Sequence, residues 1–212
     1  MKLIYSLLAI SSMLVPPLLV AQEVEAIPED FVRRLAPKLV EAAGKLDQSK
    51  IKIEADVEKA NGVHLPGKLG ALIVPQKELK ESEELAAKFK SELGAPLAYL
   101  FVRELVSIVD GKKLDAAKMR TVSITDNDGK EHIVHVLTLA VKQLSEDDYR
   151  LHAYGIDGKP LVDVKFAEGT GPGPVPVAVE LKNPNEAKRE GSVVVTVFGK
   201  YQATFQAGFT GE

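Results

Sequence analysis

The chain has 212 residues, 45% of them hydrophobic and 27% charged, a balance that supports a buried core and excludes a disordered tail, a collagen-like fibre and a multi-span membrane protein. A net charge of -3 offers no broad basic field to a phosphate backbone, so nucleic acid is not an expected partner. Cysteine is absent, which excludes disulfide scaffolds, thiolate metal sites, iron–sulfur clusters and thiol nucleophiles.

Lys2 is followed by an apolar run from Leu3 to Val20 that ends at Ala21, after which an acidic stretch begins at Gln22. This is the grammar of an export signal. Pro16 and Pro17 favour an extended cleavage region over a spanning helix. Cleavage is expected after Ala21, with Ala26 as a second site and a retained anchor as the alternative. Residues 1–21 thus read as a signal peptide and 22–212 as a single β-rich domain, with no stable membrane span after cleavage. Such a domain works in a periplasm or outside the cell, where nucleoside triphosphates and reduced nicotinamides are scarce. Kinases and dehydrogenases are disfavoured accordingly, and no cofactor is expected.

A first helix is expected over about 28–46, because Phe31, Leu35, Leu39, Ala43 and Leu46 recur at helical intervals and Glu29 with Asp30 suits the positive helix end. Pro37 predicts a kink or a break near Ala36. Ile51, Ile53, Ala55 and Val57 alternate with charged residues, the period of a strand with one wet face. A second helix is expected over about 82–93, with Leu85, Phe89 and Leu93 on one side and Gly94 as its stop. Residues 97–109 fit either period and read as strand in preference to helix.

Beyond them the chain is rich in β-branched and aromatic runs: Arg120 to Thr125, Glu131 to Val141, Tyr149 to Tyr154, Val162 to Phe166, Val175 to Leu181, Val193 to Phe198 and Tyr201 to Phe205. Asn61-Gly62, Asp110-Gly111, Asp128-Gly129 and Asp157-Gly158 read as hairpin corners, and Arg120 to Phe166 as an antiparallel meander. Gly169 to Pro174 suits a loop crossing between sheet edges. The fold class is mainly β (α+β): an antiparallel β-sandwich or partly open β-barrel, with two amphipathic helices packed on it near the N-terminus.

The motifs that resemble chemistry fail on context. Gly62 to Lys68 has P-loop spacing, but Pro66 removes an amide, Leu69 stands where magnesium needs a hydroxyl, and Leu72-Ile73-Val74-Pro75 follows in place of a helix. Aligning Gly129 with the glycine of a calcium loop puts Ile124 and His135 at oxygen-donor positions. His132 and His135 lie three apart, so on a strand they point to opposite faces and cannot share a metal; no metal site is expected. His132 can still meet His152 across the sheet. His132, His152, Asp126 and Asp128 form the best catalytic constellation the sequence offers, that of an exported hydrolase.

The favoured reading is an exported, non-enzymatic module that binds a protein, polysaccharide or small-molecule partner outside the cytoplasm. Tyr149, Tyr154, Tyr201 and Phe205 are its ligand-binding candidates if they fall on outward rows, against a reading in which they are core packing. Strand addition at an open sheet edge is a third possibility.

Overall fold

The computed structural model describes residues 23–46, 50–66, 70–125, 129–172, 175–185 and 187–210, so the signal-peptide reading and Asp126 and Asp128 lie outside the described residues. In chain order the strands are β1 (Glu25–Ala26), β2 (Asn61–His64), β3 (Gly70–Pro75), β4 (Ala95–Arg103), β5 (Leu105–Val109), β6 (Lys112–Lys113) and β7 (Arg120–Thr125). The chain continues through β8 (Glu131–Ser145), β9 (Asp148–Tyr154), β10 (Pro160–Lys165), β11 (Ala167–Glu168), β12 (Val177–Asn185), β13 (Glu190–Val197) and β14 (Tyr201–Phe209). They build two antiparallel sheets. The larger runs β1-β2-β3-β4-β8-β9-β10, with β7 also on β8; the smaller runs β12-β13-β14-β5-β6, with β11 also on β14.

Successive residues of the central strands alternate between two cores. Ile73, Leu100, Leu137, Leu139 and Leu151 enter the layer between the sheets. Leu72, Val74, Tyr99, Phe101, Val134 and Val136 enter a second core on the outer face of the larger sheet. Burial on both faces turns β4 and β8 into nearly continuous apolar runs, which is why period alone left residues 97–109 ambiguous. They are strand, as expected. Glu104, at φ 56°, separates β4 from β5 and turns the chain from the larger sheet into the smaller.

Helix α1 (Glu29–Gly44) covers the outer face. It continues through Pro37, so of the expected kink or break the break does not occur; Pro37 lies on the exposed side of the helix. The buried stripe is Val32, Ala36, Leu39 and Ala43, whereas Phe31 is exposed. Ile51 and Ile53 are buried beside α1 with Lys52 and Glu54 exposed, as their alternation predicts. The segment is nevertheless no ladder strand; its pairing is one isolated bridge, Ala55 to Gln76. Alternation reports one wet and one dry face, and extended chain achieves that without lateral pairing.

The turn residues divide. Asp110 and Gly111 both take positive φ, 51° and 72°, and close the β5–β6 hairpin as expected. Asn61 and Gly62 are not a corner but the first residues of β2. A side chain at Gly62 would meet the Ala71 carbonyl oxygen at 2.7 Å, so close approach selects the glycine. Asn61 reaches across to the smaller sheet: its Nδ2 donates to the Val177 carbonyl at 2.8 Å and its Oδ1 accepts from the Val179 amide at 3.2 Å. The amide thereby imitates a strand at the edge of β12.

The meander also has a twist of its own. Consecutive strands from β7 to β10 pair antiparallel, but β7 and β9 lie end to end along the same side of β8, with Val136 opposite Arg120 and Thr138 opposite Tyr154. Where they abut, the Ile156 amide donates to the Lys118 carbonyl at 3.0 Å.

Candidate functional site

Helix α2 (Glu83–Lys88) is shorter than the expected 82–93. Ser82 caps it by accepting from the Leu85 amide at 3.2 Å, and Glu83, Glu84 and Lys88 complement its dipole. To extend the helix, the Phe89 carbonyl would have to accept from Leu93; it accepts instead from the Gln143 amide of β8 at 3.0 Å. Lys142 takes the Ser91 carbonyl and, at 3.1 Å, that of Glu92. Gly94, at φ 80°, then turns the chain into β4.

This arrangement holds α2 over a cleft of about 440 Å³ at one end of the sandwich. Phe89, Tyr149, Phe166, Phe198 and Tyr201 line it with Leu79, Leu85 and Leu97 as aliphatic lining. Phe89 and Tyr149 meet edge to face, centroids 5.8 Å apart, and the Tyr149 hydroxyl accepts from Gln143 Nε2 at 3.1 Å. Glu81, Asp147 and Glu168 bring three carboxylates, and among the described residues no lysine, arginine or histidine lines the cleft. Lys200, in the β13–β14 turn, holds Glu81 at 2.9 Å, and that carboxylate raises the lysine's pKa.

Two of the four aromatic candidates belong to this cleft. Tyr149 is 37% exposed and Tyr201 41% exposed, one from each sheet. Phe205 is inter-sheet core, and Tyr154 is buried in the outer core, its hydroxyl donating to the Leu93 carbonyl at 3.2 Å. The lining that sequence reasoning missed, Phe89, Phe166 and Phe198 with Glu81 and Glu168, comes from separate segments that only the strand register unites. Asp147 lies in the tight turn that joins β8 to β9.

The histidine constellation does not assemble. The tight turn at Glu146-Asp147 sets His152 opposite Ala140, whereas His132 pairs with Ile124, eight residues away along β8 or about 26 Å. The expected meeting of His132 and His152 is therefore excluded by register. His132 and His135 do face opposite sides: His132 lies on the α1 side with Val134, and His135 on the other. Among the described residues no three His, Asp or Glu side chains converge to hold a metal ion.

His152 instead sits in a buried row. Its Nδ1 lies 3.1 Å from the Tyr154 hydroxyl and its Nε2 3.4 Å from Asp163 Oδ1, a charge contact longer than a good hydrogen bond; Arg150 holds the same oxygen at 3.1 Å. The Tyr154 hydroxyl also reaches the Leu93 carbonyl, so the imidazole is held between a tyrosine and a carboxylate. Burial lowers the pKa of His152, against the pull of Asp163, and burial alone lowers that of His135.

The sign follows from linkage. The unfolded chain takes up these protons near the ordinary value of 6.5 while the folded protein still refuses them, so stability is complete above that pH and falls as pH drops through it. The urea midpoint of the wild type is expected to fall between pH 7.5 and pH 5.5, and that of a His135→Gln, His152→Gln double variant to fall less. Parallel pH curves for the two proteins would contradict this account.

Compared with known protein families, with curated proteins and with solved structures, the chain matches none.

Proposed function

We propose that this chain is an exported, non-enzymatic binding module whose aromatic cleft takes a small apolar ligand bearing a positive charge. The observation that carries the reading is the combination of apolar walls with three carboxylates, of which Glu81 is paired with Lys200 while Asp147 and Glu168 form no ion pair among the described residues. A volume of about 440 Å³ falls within the usual range for small-molecule sites. Aromatic faces attract cations, and Tyr149 and Tyr201 are the partly exposed aromatic rings of the lining. The hydrolase reading has less support, because His152 is buried and lines neither of the two large cavities, and His132 is far from it. Strand addition at β12 has less support too, since Asn61 already occupies Val177 and Val179 on its edge.

The chain contains no tryptophan, so Tyr201→Trp creates a sole fluorophore at the cleft. Titration with 2-phenylethylamine is expected to shift its emission, and 3-phenylpropanoate, similar in bulk but opposite in charge, to leave it unchanged. Asp147→Asn combined with Glu168→Gln is expected to weaken amine binding about tenfold, the effect of losing roughly 1.4 kcal/mol. Equal response to amine and acid, or to neither, sinks the reading. Export is tested separately: the protein recovered from outside the cytoplasm is expected to begin at Gln22.

A further inference from the structure

On the outer face of the larger sheet, the first half of α1 overhangs a second cavity of about 730 Å³. Its walls are chiefly aliphatic: Leu35 and Leu39 descend from α1 to meet Leu65, Leu72, Ile124 and Val134. Its charges are the reverse of those in the aromatic cleft. Arg34 and Lys38, one turn apart on α1, and Arg103 at the end of β4 bring three cations against a single lining carboxylate, Asp30. Asp30 is already engaged by Arg34 at 3.2 Å, and Arg103 by Glu104 at 3.1 Å. Lys38 makes no ion pair with any described residue, so its ammonium is free to meet a ligand.

We infer that this groove is a second binding site, for a free fatty acid whose alkyl chain lies along the aliphatic walls and whose carboxylate meets Lys38. Both halves of the ligand are needed to match what lines the groove. Leu39, Leu65, Leu72 and Val134 are buried in the walls, so an alkyl chain gains chiefly by covering the half-buried Ile27, Leu35 and Ile124 and the exposed Phe31, and an anionic head offsets a net positive rim. A cationic amphiphile brings like charge to Lys38 and Arg103, and a flat aromatic ring uses the long aliphatic walls poorly. The inference does not rest on the aromatic cleft, whose lining shares no residue with this one.

Phe31 stands at the lip of the groove, 48% exposed, and Phe31→Trp makes it the sole tryptophan. Dodecanoate below its micelle concentration is expected to shift that emission to the blue with saturation. Dodecyltrimethylammonium at the same concentration is expected to leave it unchanged, and dodecanol to bind at least about tenfold more weakly than the acid. Lys38→Glu, an exposed change on a helix surface, is expected to weaken dodecanoate about tenfold or more while leaving the circular dichroism spectrum intact. Carboxyl-labelled dodecanoate followed by carbon-13 NMR repeats the comparison with Phe31 in place. The inference is overturned if dodecanol or the cation binds as tightly as dodecanoate, if Lys38→Glu leaves the affinity unchanged, or if dodecanoate perturbs only the Tyr201→Trp reporter in the other cleft.

Discussion

Gly155→Ala is expected to destabilise the protein by about 3 kcal/mol, because it overpacks the junction where β7 and β9 meet end to end. A Cβ at this position would lie 2.1 Å from the carbonyl oxygen of Lys118 and 2.6 Å from Leu161 Cδ1. The nearer atom is backbone and cannot swing aside. It is also the acceptor for the Ile156 amide, so any shift that relieves the overlap strains the hydrogen bond that joins the two strand ends. The outcome is read as a lower urea midpoint with an unchanged slope. Gly44→Ala serves as the control: it stands at the end of α1 with nothing within 4 Å of an added methyl, and is expected to be neutral or slightly stabilising. If both alanines leave the midpoint within about 0.5 kcal/mol of wild type, the junction is not packed as described.

Arg120 leads to an expectation of two signs. It is 2% exposed, donates from Nη2 to the Thr138 hydroxyl and stands 5.9 Å from the centre of the Tyr99 ring, while Nε and Nη1 have no hydrogen-bond partner. Burial lowers its pKa, opposed by Tyr99, yet a guanidinium remains charged at neutral pH. A buried cation opposed by no carboxylate among the described residues carries a desolvation cost of several kcal/mol. Arg120→Met keeps most of the volume and removes the charge, and is expected to raise stability by about 1–4 kcal/mol. Arg120→Ala removes the charge and the packing together and is expected to lower it by about 3 kcal/mol through the void it leaves. Chemical denaturation of the two variants separates these contributions. Should Met and Ala destabilise alike, the cation itself stabilises the fold.

The elements of the fold were legible because their causes are local. The β-branched runs from Val193 to Phe198 and from Tyr201 to Phe205, and the paired positive-φ turn at Asp110-Gly111, carry their conformations in their own chemistry. What was illegible depends on a neighbour from elsewhere in the chain. Gly62 looks like a turn until the Ala71 carbonyl is placed against it, and α2 looks longer until Gln143 takes the Phe89 carbonyl. The site shows the same division. Tyr149 and Tyr201 stood out as amphipathic aromatics, but Tyr154 and Phe205 lie on the same two strands and are buried because of their place along them: Tyr154 ends β9 facing the outer core, and Phe205 sits in mid-β14 facing the inter-sheet core. The acid rim had no signature at all, since Glu81, Asp147 and Glu168 become neighbours only when α2, the β8–β9 turn and β11 arrive at one end of the sandwich.

The passage of one chain run through both sheets has a mechanical corollary. Strands β4 and β5 are joined at Glu104, while the aromatic cleft reaches β4 at its other extremity, Ala95 to Leu97. The two layers thus resemble the arms of a pair of tweezers, with the pivot seven residues, or about 23 Å, from the tips. Over that lever a rotation of roughly 3° at Glu104 would move the tips by about 1 Å, a motion that the shared core and the Asn61 bridge to β12 oppose.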